Sequence, residues 1–149
     1  MNAPHSDRTD AHRHALAVFL PRVILGLIFF QAGIHKVFVQ TPAVHARQWF
    51  LPFADTFLPV WSLWTMGLSI PFVELAGGLL VLLGLWTTAG LTMLGAVLCV
   101  VTFGHLLHEP LYSFSEHVIP RLALTVLVLA LPRAWDRWSL DALRDARRG

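Results

Sequence analysis

Cysteine is almost missing from the 149 residues: Cys99 stands alone. With no second thiol in the chain, an intrachain disulfide and a Cys-x-x-Cys redox pair are excluded. Charge is scarce as well. Charged residues make up 13% of the sequence, against about 25% in soluble domains, and the mean hydropathy is +0.62. A chain so poor in charge does not cover an ordinary soluble surface. Gly-rich phosphate loops, base-stacking surfaces, internal repeats and low-complexity tracts are also lacking. No flavin, nicotinamide or iron–sulfur site is therefore evident.

What remains is apolar and organised in long runs. Four stretches, near Ala15 to Phe38, Ser62 to Leu85, Thr87 to Leu107 and His117 to Leu131, are long enough to cross roughly 30 Å of hydrocarbon at about 1.5 Å per residue. They predict an all-α integral membrane protein, a four-helix bundle over residues 15–131. The first run is too long for a signal-peptide core, holds Arg22 and lacks a clear cleavage site before Lys36, so it reads as a retained anchor. The polar residues 1–14 are expected to be a disordered tail. Residues 132–149 are expected to be an amphipathic tail on the membrane surface, with Trp135, Trp138, Ala142 and Leu143 on one helical face.

The formal charge of +2 does not point to nucleic acid, because the basic residues gather at the two ends rather than on one face. Arg8 and Arg13 precede the first span, and Arg133, Arg137, Arg144, Arg147 and Arg148 follow the last. The positive-inside rule then puts both termini in the cytoplasm. This is a multi-pass protein of the plasma (inner) membrane whose first partner is the lipid bilayer. The long outer connection, residues 39–61, carries Trp49, Phe50, Phe53, Phe57 and Trp61, a composition suited to the headgroup region. It is either a lid packed over the bundle or a loop that closes over a ligand.

Within the first span, Arg22, Gly26, Phe29, Gly33 and Lys36 are spaced 4-3-4-3, which keeps them within roughly 40° of one line on a helix. They form one inward stripe. A charge at membrane depth normally faces the protein interior with a partner. Counting about 1.5 Å per residue from each entry point sets Arg22 and Glu74 at nearly the same depth, so the expected partner of Glu74 is Arg22. Such a pair either fixes the register of two helices or makes Glu74 a proton-handling or ligand-binding group. Gly26, Gly33, Gly77 and Gly78 suit close helix packing. Pro71, one turn before Glu74, kinks its helix and frees a carbonyl.

A second polar group gathers at the outer ends of the spans: His35, Lys36, His105, His108, Glu109, Glu116, His117 and Arg121, with Tyr112 close in sequence. His105 and His108 are one turn apart, a spacing that suits two imidazoles on one metal. The same residues also suit a polar pocket for a ligand headgroup, or a solvated rim, and no metal site is assigned. Haem requires axial ligands at a common depth on opposed helices, which the sequence does not establish.

The string RVILGLIFFQAGIHK resembles the opening of the DoxX family, an arginine, Leu-Gly, an aromatic and Gly-x-x-Lys, here Arg22, Leu25, Gly26, Phe29, Gly33 and Lys36. ELAGGLLVLLGLWT is similar to the family's glutamate, glycines and closing Gly-Leu-x-Thr, at Glu74, Gly78, Gly84, Leu85 and Thr87. Where family members often carry an arginine after the threonine, this chain has Thr88 and Ala89. The resemblance implies a four-helix membrane protein, some relatives being membrane subunits of quinone-linked sulfur oxidation.

The expected function is accordingly a quinone-linked membrane redox subunit. Glu74 and Arg22 would be its catalytic pair, and Lys36, His35, His105, His108 and Arg121 would contact a bound quinone. A quinone needs an apolar slot and a few polar groups to bind its carbonyls and pass protons. Electrons would arrive through a partner redox subunit of a quinone-dependent oxidoreductase. The rival readings are a non-enzymatic scaffold or assembly protein and a small transporter, the latter disfavoured by the absence of an inverted repeat.

Overall fold

A computed structural model describes residues 3–108 and 115–148, with side chains for 8–107 and 116–148. In chain order it contains α1 (Ala3–Ile34), a π-helical turn (His35–Val39), α2 (Pro42–Trp49), a 3-10 turn (Leu51–Asp55), α3 (Val60–Leu83), α4 (Thr87–His108), α5 (Ser115–Ala130), a second 3-10 turn (Arg133–Trp135) and α6 (Leu140–Ala146). No strand occurs among the described residues. The helices over Arg8–Val39, Val60–Leu83 and Thr87–Leu107 are long and apolar enough to cross a membrane. α5, with 16 residues, rises about 24 Å and is shorter than the other three.

The first helix begins at Ala3, well before the expected entry at Ala15, and the polar segment forms its opening turns. Asp10 and Arg13 face each other across one turn at 3.8 Å. His14 lies flat on Trp135 with ring centroids 4.0 Å apart, and Phe19 meets the edge of Trp138. Tertiary contact with the C-terminal segment therefore sits along a stretch whose composition alone favours no order.

Close backbone approach sets the register between α1 and α3. A methyl group on Gly26 would strike Leu82, one on Gly33 would strike Leu75, and one on Gly78 would strike the backbone of Phe30, each closer than 3.0 Å. In every pair the two residue numbers sum to 108, the signature of one antiparallel alignment held over the whole length. In a membrane no hydrophobic force drives apolar helices together, and small residues bring backbones close enough for dispersion to do so. α4 returns along α3, with Gly77 facing Leu94 and Gly90 facing Val81. The hairpin between them turns at Gly84, whose φ of 65° is left-handed. Leu85 N–H reaches back to Leu80 O at 2.9 Å, closing a glycine-terminated helix end.

Leu25, Phe29, Val81, Leu91, Leu94, Leu98, Val118 and Val128 form one core joining α1, α3, α4 and α5. The outer faces are apolar too: Leu16, Leu20, Ile24 and Leu27 on α1, and Leu68, Phe72, Leu79 and Leu83 on α3, are exposed. In water such continuous apolar surface would be a liability, whereas lipid chains cover it without cost. The C-terminal segment differs from the expected single amphipathic helix. Pro132 and the extended Ser139 interrupt it, so Trp135, Trp138, Ala142 and Leu143 do not share one helical face.

The register makes opposite demands on two glycines. Gly78→Ala should force α1 and α3 apart at a cost of about 1–3 kcal/mol, the usual size of core overpacking. Gly95→Ala should be neutral or stabilising by up to about 1 kcal/mol, because its added methyl meets nothing within 4 Å. Thermal melts followed by far-UV circular dichroism in detergent compare the two, and equal melting temperatures would contradict the packing described.

Candidate functional site at the π turn

Arg22 and Glu74 do not meet. In the alignment fixed by the glycines, Glu74 lies opposite position 34 and Arg22 opposite position 86, twelve residues or about 18 Å apart along the helix. The depth count fails because Arg22 lies level with the last turn of α3, not farther along it, and because glycine contacts rather than span entry points fix the slide of one helix on the other.

Arg22 is 1% exposed and sits at the last turn of α3. Its Nη1 donates to Val81 O and Leu82 O, each at 2.9 Å, and Nη2 donates to Trp138 O at 2.8 Å. Nε faces Asp136 Oδ1 at 3.3 Å, off the hydrogen-bond line. The guanidinium thus satisfies helix-end carbonyls that carry the negative pole of α3 and ties the C-terminal segment to them. Gly84 makes room, since a methyl there would strike Ser139 and the Arg22 guanidinium.

Asp141 completes this clamp. Its amide donates to Gly84 O at 2.9 Å, and its carboxylate accepts from the Trp86 and Thr87 amides at the start of α4, both at 3.0 Å. Burial alone pushes the Asp141 carboxyl up, but the Thr87 and Trp86 amides, the Thr87 hydroxyl and the nearby Arg133 together hold it below the ordinary carboxylate value. Arg22 therefore ties the end of α3 to the C-terminal segment and does not pair with Glu74.

Glu74 pairs with Lys36 at the other end of the stripe. Lys36 Nζ lies 2.5 Å from Glu74 Oε2, with side chains 26% and 5% exposed respectively. Lys36 sits in the π-helical turn, closed by Gln40 N–H on His35 O at 2.8 Å. Such a turn inserts one residue into a helix and is frequent at functional sites. Here it also leads the chain out toward α2.

α2 brings a third group. Pro71 has no N–H, so the carbonyl four residues earlier, Gly67 O, loses its helical donor. His45, buried at 4% exposure, fills that gap: Nδ1 lies 2.9 Å from Gly67 O. A carbonyl only accepts, which assigns the hydrogen to Nδ1 and leaves Nε2 with its lone pair. Gly67 also admits the helix itself, because a methyl there would strike Ala46. Burial lowers the His45 pKa most; the Gly67 carbonyl opposes this, Lys36 lowers it further and Glu74 raises it. The net direction is down from 6.5, and the imidazole is neutral beside the Lys36–Glu74 pair.

The other expected residues scatter. His35, Glu116 and His117 are exposed. His105 Nδ1 bonds Val101 O of its own helix at 2.8 Å. The side chains of His108, Glu109 and Tyr112 lie outside the described residues. Half-buried Arg121 stacks over Phe29, 5.7 Å from the ring centroid, and so joins the inward stripe between Arg22 and Lys36. Among the described residues, no three metal-ligating side chains gather. Phe53 reaches the C-terminal end of α4 at Gly104, 3.9 Å from where a methyl would lie, so the connection covers the start of α3 and the end of α4. Nothing in the sequence around His45 singles it out; the signal for it is Gly67, four residues before Pro71.

His45 gives the site a pH dependence whose sign is fixed. Its pKa is lower when α2 is docked than when it is released. Docking is therefore at full strength above about 6.5 and weakens as pH falls below that value, because only the released imidazole readily takes a proton. Hydrogen exchange of the α2 amides at pH 7.5 and 5.5 should show faster exchange in acid. His45→Asn, which keeps a donor but does not titrate, should remove most of that difference; an unchanged difference would contradict the assignment.

The profile of the DoxX family matches residues 17–107, which hold the whole Lys36–Glu74–His45 cluster but stop short of α5 and the C-terminal clamp. No curated protein and no solved structure matches the chain. With the first-span stripe, the glutamate and glycines of α3 and the match across most of the chain, this protein belongs to the DoxX family.

Proposed function

We propose that the Lys36–Glu74–His45 cluster passes protons to and from a quinone-type ring, and that the chain is the membrane subunit of a quinone-linked oxidoreductase. The observation that carries this reading is a buried carboxylate–ammonium pair beside a neutral imidazole, at the end of an apolar bundle and under a covering segment. A ring carbonyl fits this donor set: Lys36 Nζ is the most accessible of the three groups, and an ammonium is a suitable donor to a carbonyl oxygen. Glu74 and His45 add a carboxylate and an imidazole, two groups that can exchange protons with a ligand. A quinone would supply the electron-accepting ring; the residues supply binding and protons. Electrons come from a partner protein.

The same reading takes α1, α3, α4 and α5 as four crossings of the plasma (inner) membrane with both termini cytoplasmic. Two facts support that topology. The start of α1 and the C-terminal segment pack together, as His14 on Trp135 shows, and the arginines gather at that end. The cluster then faces the outer leaflet, where His35, His105 and Arg121 are the additional candidates for ligand contact.

A scaffold role is the second reading, favoured by Arg22, a fully buried charge whose visible contacts are architectural. One experiment separates the two. Purified protein in mild detergent is extracted with solvent and examined by mass spectrometry for quinones, with oxidised and reduced absorption spectra. Stoichiometric quinone, lost in a folded Glu74→Gln variant, is the expected result. Folded wild-type protein without quinone, or a variant that keeps it, would overturn the redox reading.

A further inference from the structure

We infer that the groove between α1, the end of α3 and the C-terminal segment binds one anionic phospholipid, with its phosphate at Arg137 and an acyl chain along the exposed stripe of α3. The groove is about 410 Å³ and is lined by Phe19, Leu83, Arg137, Trp138, Leu140 and Leu143, among others. It is a two-sided surface, cationic at its rim and apolar on its floor.

The charge balance selects an anion. Arg22 also borders the groove, but its Nη donors are committed to three carbonyls. The nearby acids are equally engaged: Asp136 faces Arg22, and Asp141 caps α4 and pairs with Arg144 at 3.7 Å. Arg137 is exposed and has no carboxylate partner among the described residues. Its guanidinium is the free cation of the groove, with a fork suited to two phosphate oxygens.

The apolar side selects a lipid over a free anion. Leu83 is 43% exposed, Leu140 37% and Leu143 58%, with the Trp138 indole exposed beside them. Above Leu83 the exposed residues of α3 continue at Leu79, Ala76 and Phe72, one unbroken helical stripe. From Phe72 to Leu83 is about 16 Å, close to half of the roughly 30 Å hydrocarbon core. A chain lying on that stripe keeps its headgroup at the end of α3, beside Arg137. The inference rests on the membrane reading of the fold and is independent of the quinone reading.

The test is native mass spectrometry of delipidated full-length protein in detergent, titrated with dioleoyl phosphatidylglycerol or dioleoyl phosphatidylcholine. One phosphatidylglycerol should bind about fivefold more tightly than phosphatidylcholine, the effect of one basic side chain at an anionic surface. Arg137→Ala should abolish that preference, and Leu143→Trp, at an exposed position that fills the groove, should weaken binding of phosphatidylglycerol. Arg147→Ala, on the same tail but not lining the groove, should change nothing, and added inorganic phosphate should not compete. Equal binding of the two lipids, an Arg147→Ala loss as large as that of Arg137→Ala, an unaffected Leu143→Trp, or competition by phosphate would overturn the inference. A quinone-free protein that still shows the lipid preference leaves this inference standing while the redox reading falls.

Discussion

The glycine-to-backbone contact between α1 and α3 decides what every buried charge in this protein does. Gly26, Gly33 and Gly78 are places where side chains are missing so that two backbones can touch. Because helices packed at that distance cannot slide by a turn without collision, the alignment is fixed along the full length of both. Lys36 is thereby carried to Glu74, and Arg22 to the last carbonyls of α3.

The two cations of the first span divide along the lines of their chemistry. A guanidinium presents five donors in a rigid plane, and Arg22 spends its Nη groups on three carbonyls from two segments while Nε faces Asp136. An arginine there closes a structure. An ammonium is a compact charge on a flexible stem, and Lys36 keeps some exposure while holding a buried carboxylate. That partial exposure leaves an ammonium donor within reach of a ligand, which is why the proposed function is centred on the Lys36 end. His45 adds to this end because Pro71 removed one amide: the defect in α3 becomes the attachment point of α2.

Much of this was legible in the residues themselves. The 4-3-4-3 spacing of Arg22, Gly26, Phe29, Gly33 and Lys36 reports which side of a helix they share, and the first four are buried as that spacing requires while Lys36 is half-buried. The glycines announced close packing, and Pro71 a freed carbonyl. The partner of Glu74 was not legible, because periodicity describes one helix and says nothing about how far it slides along another. His45 was hidden for a related reason: α2 is a short helix in a connection, and its one buried imidazole acquires meaning only from a carbonyl 22 residues away. The tail misled through composition, since Trp135 and Trp138 fit a helical face on paper, while Pro132 and Ser139 divide the segment into a 3-10 turn and the short helix α6.

A charge-swap experiment tests the alignment of the two helices most directly. Lys36→Glu and Glu74→Lys are made singly and together, beside a matching set of Arg22→Glu and Glu74→Arg, and thermal stability is measured in detergent. Each single reversal at Lys36 or Glu74 should cost roughly 3 kcal/mol, as expected when a buried pair loses its partner, and the Lys36–Glu74 double swap should recover most of it. The Arg22–Glu74 double swap should recover nothing, because those residues lie at opposite ends of the stripe. Recovery in the Arg22–Glu74 set, with none in the Lys36–Glu74 set, would contradict the account.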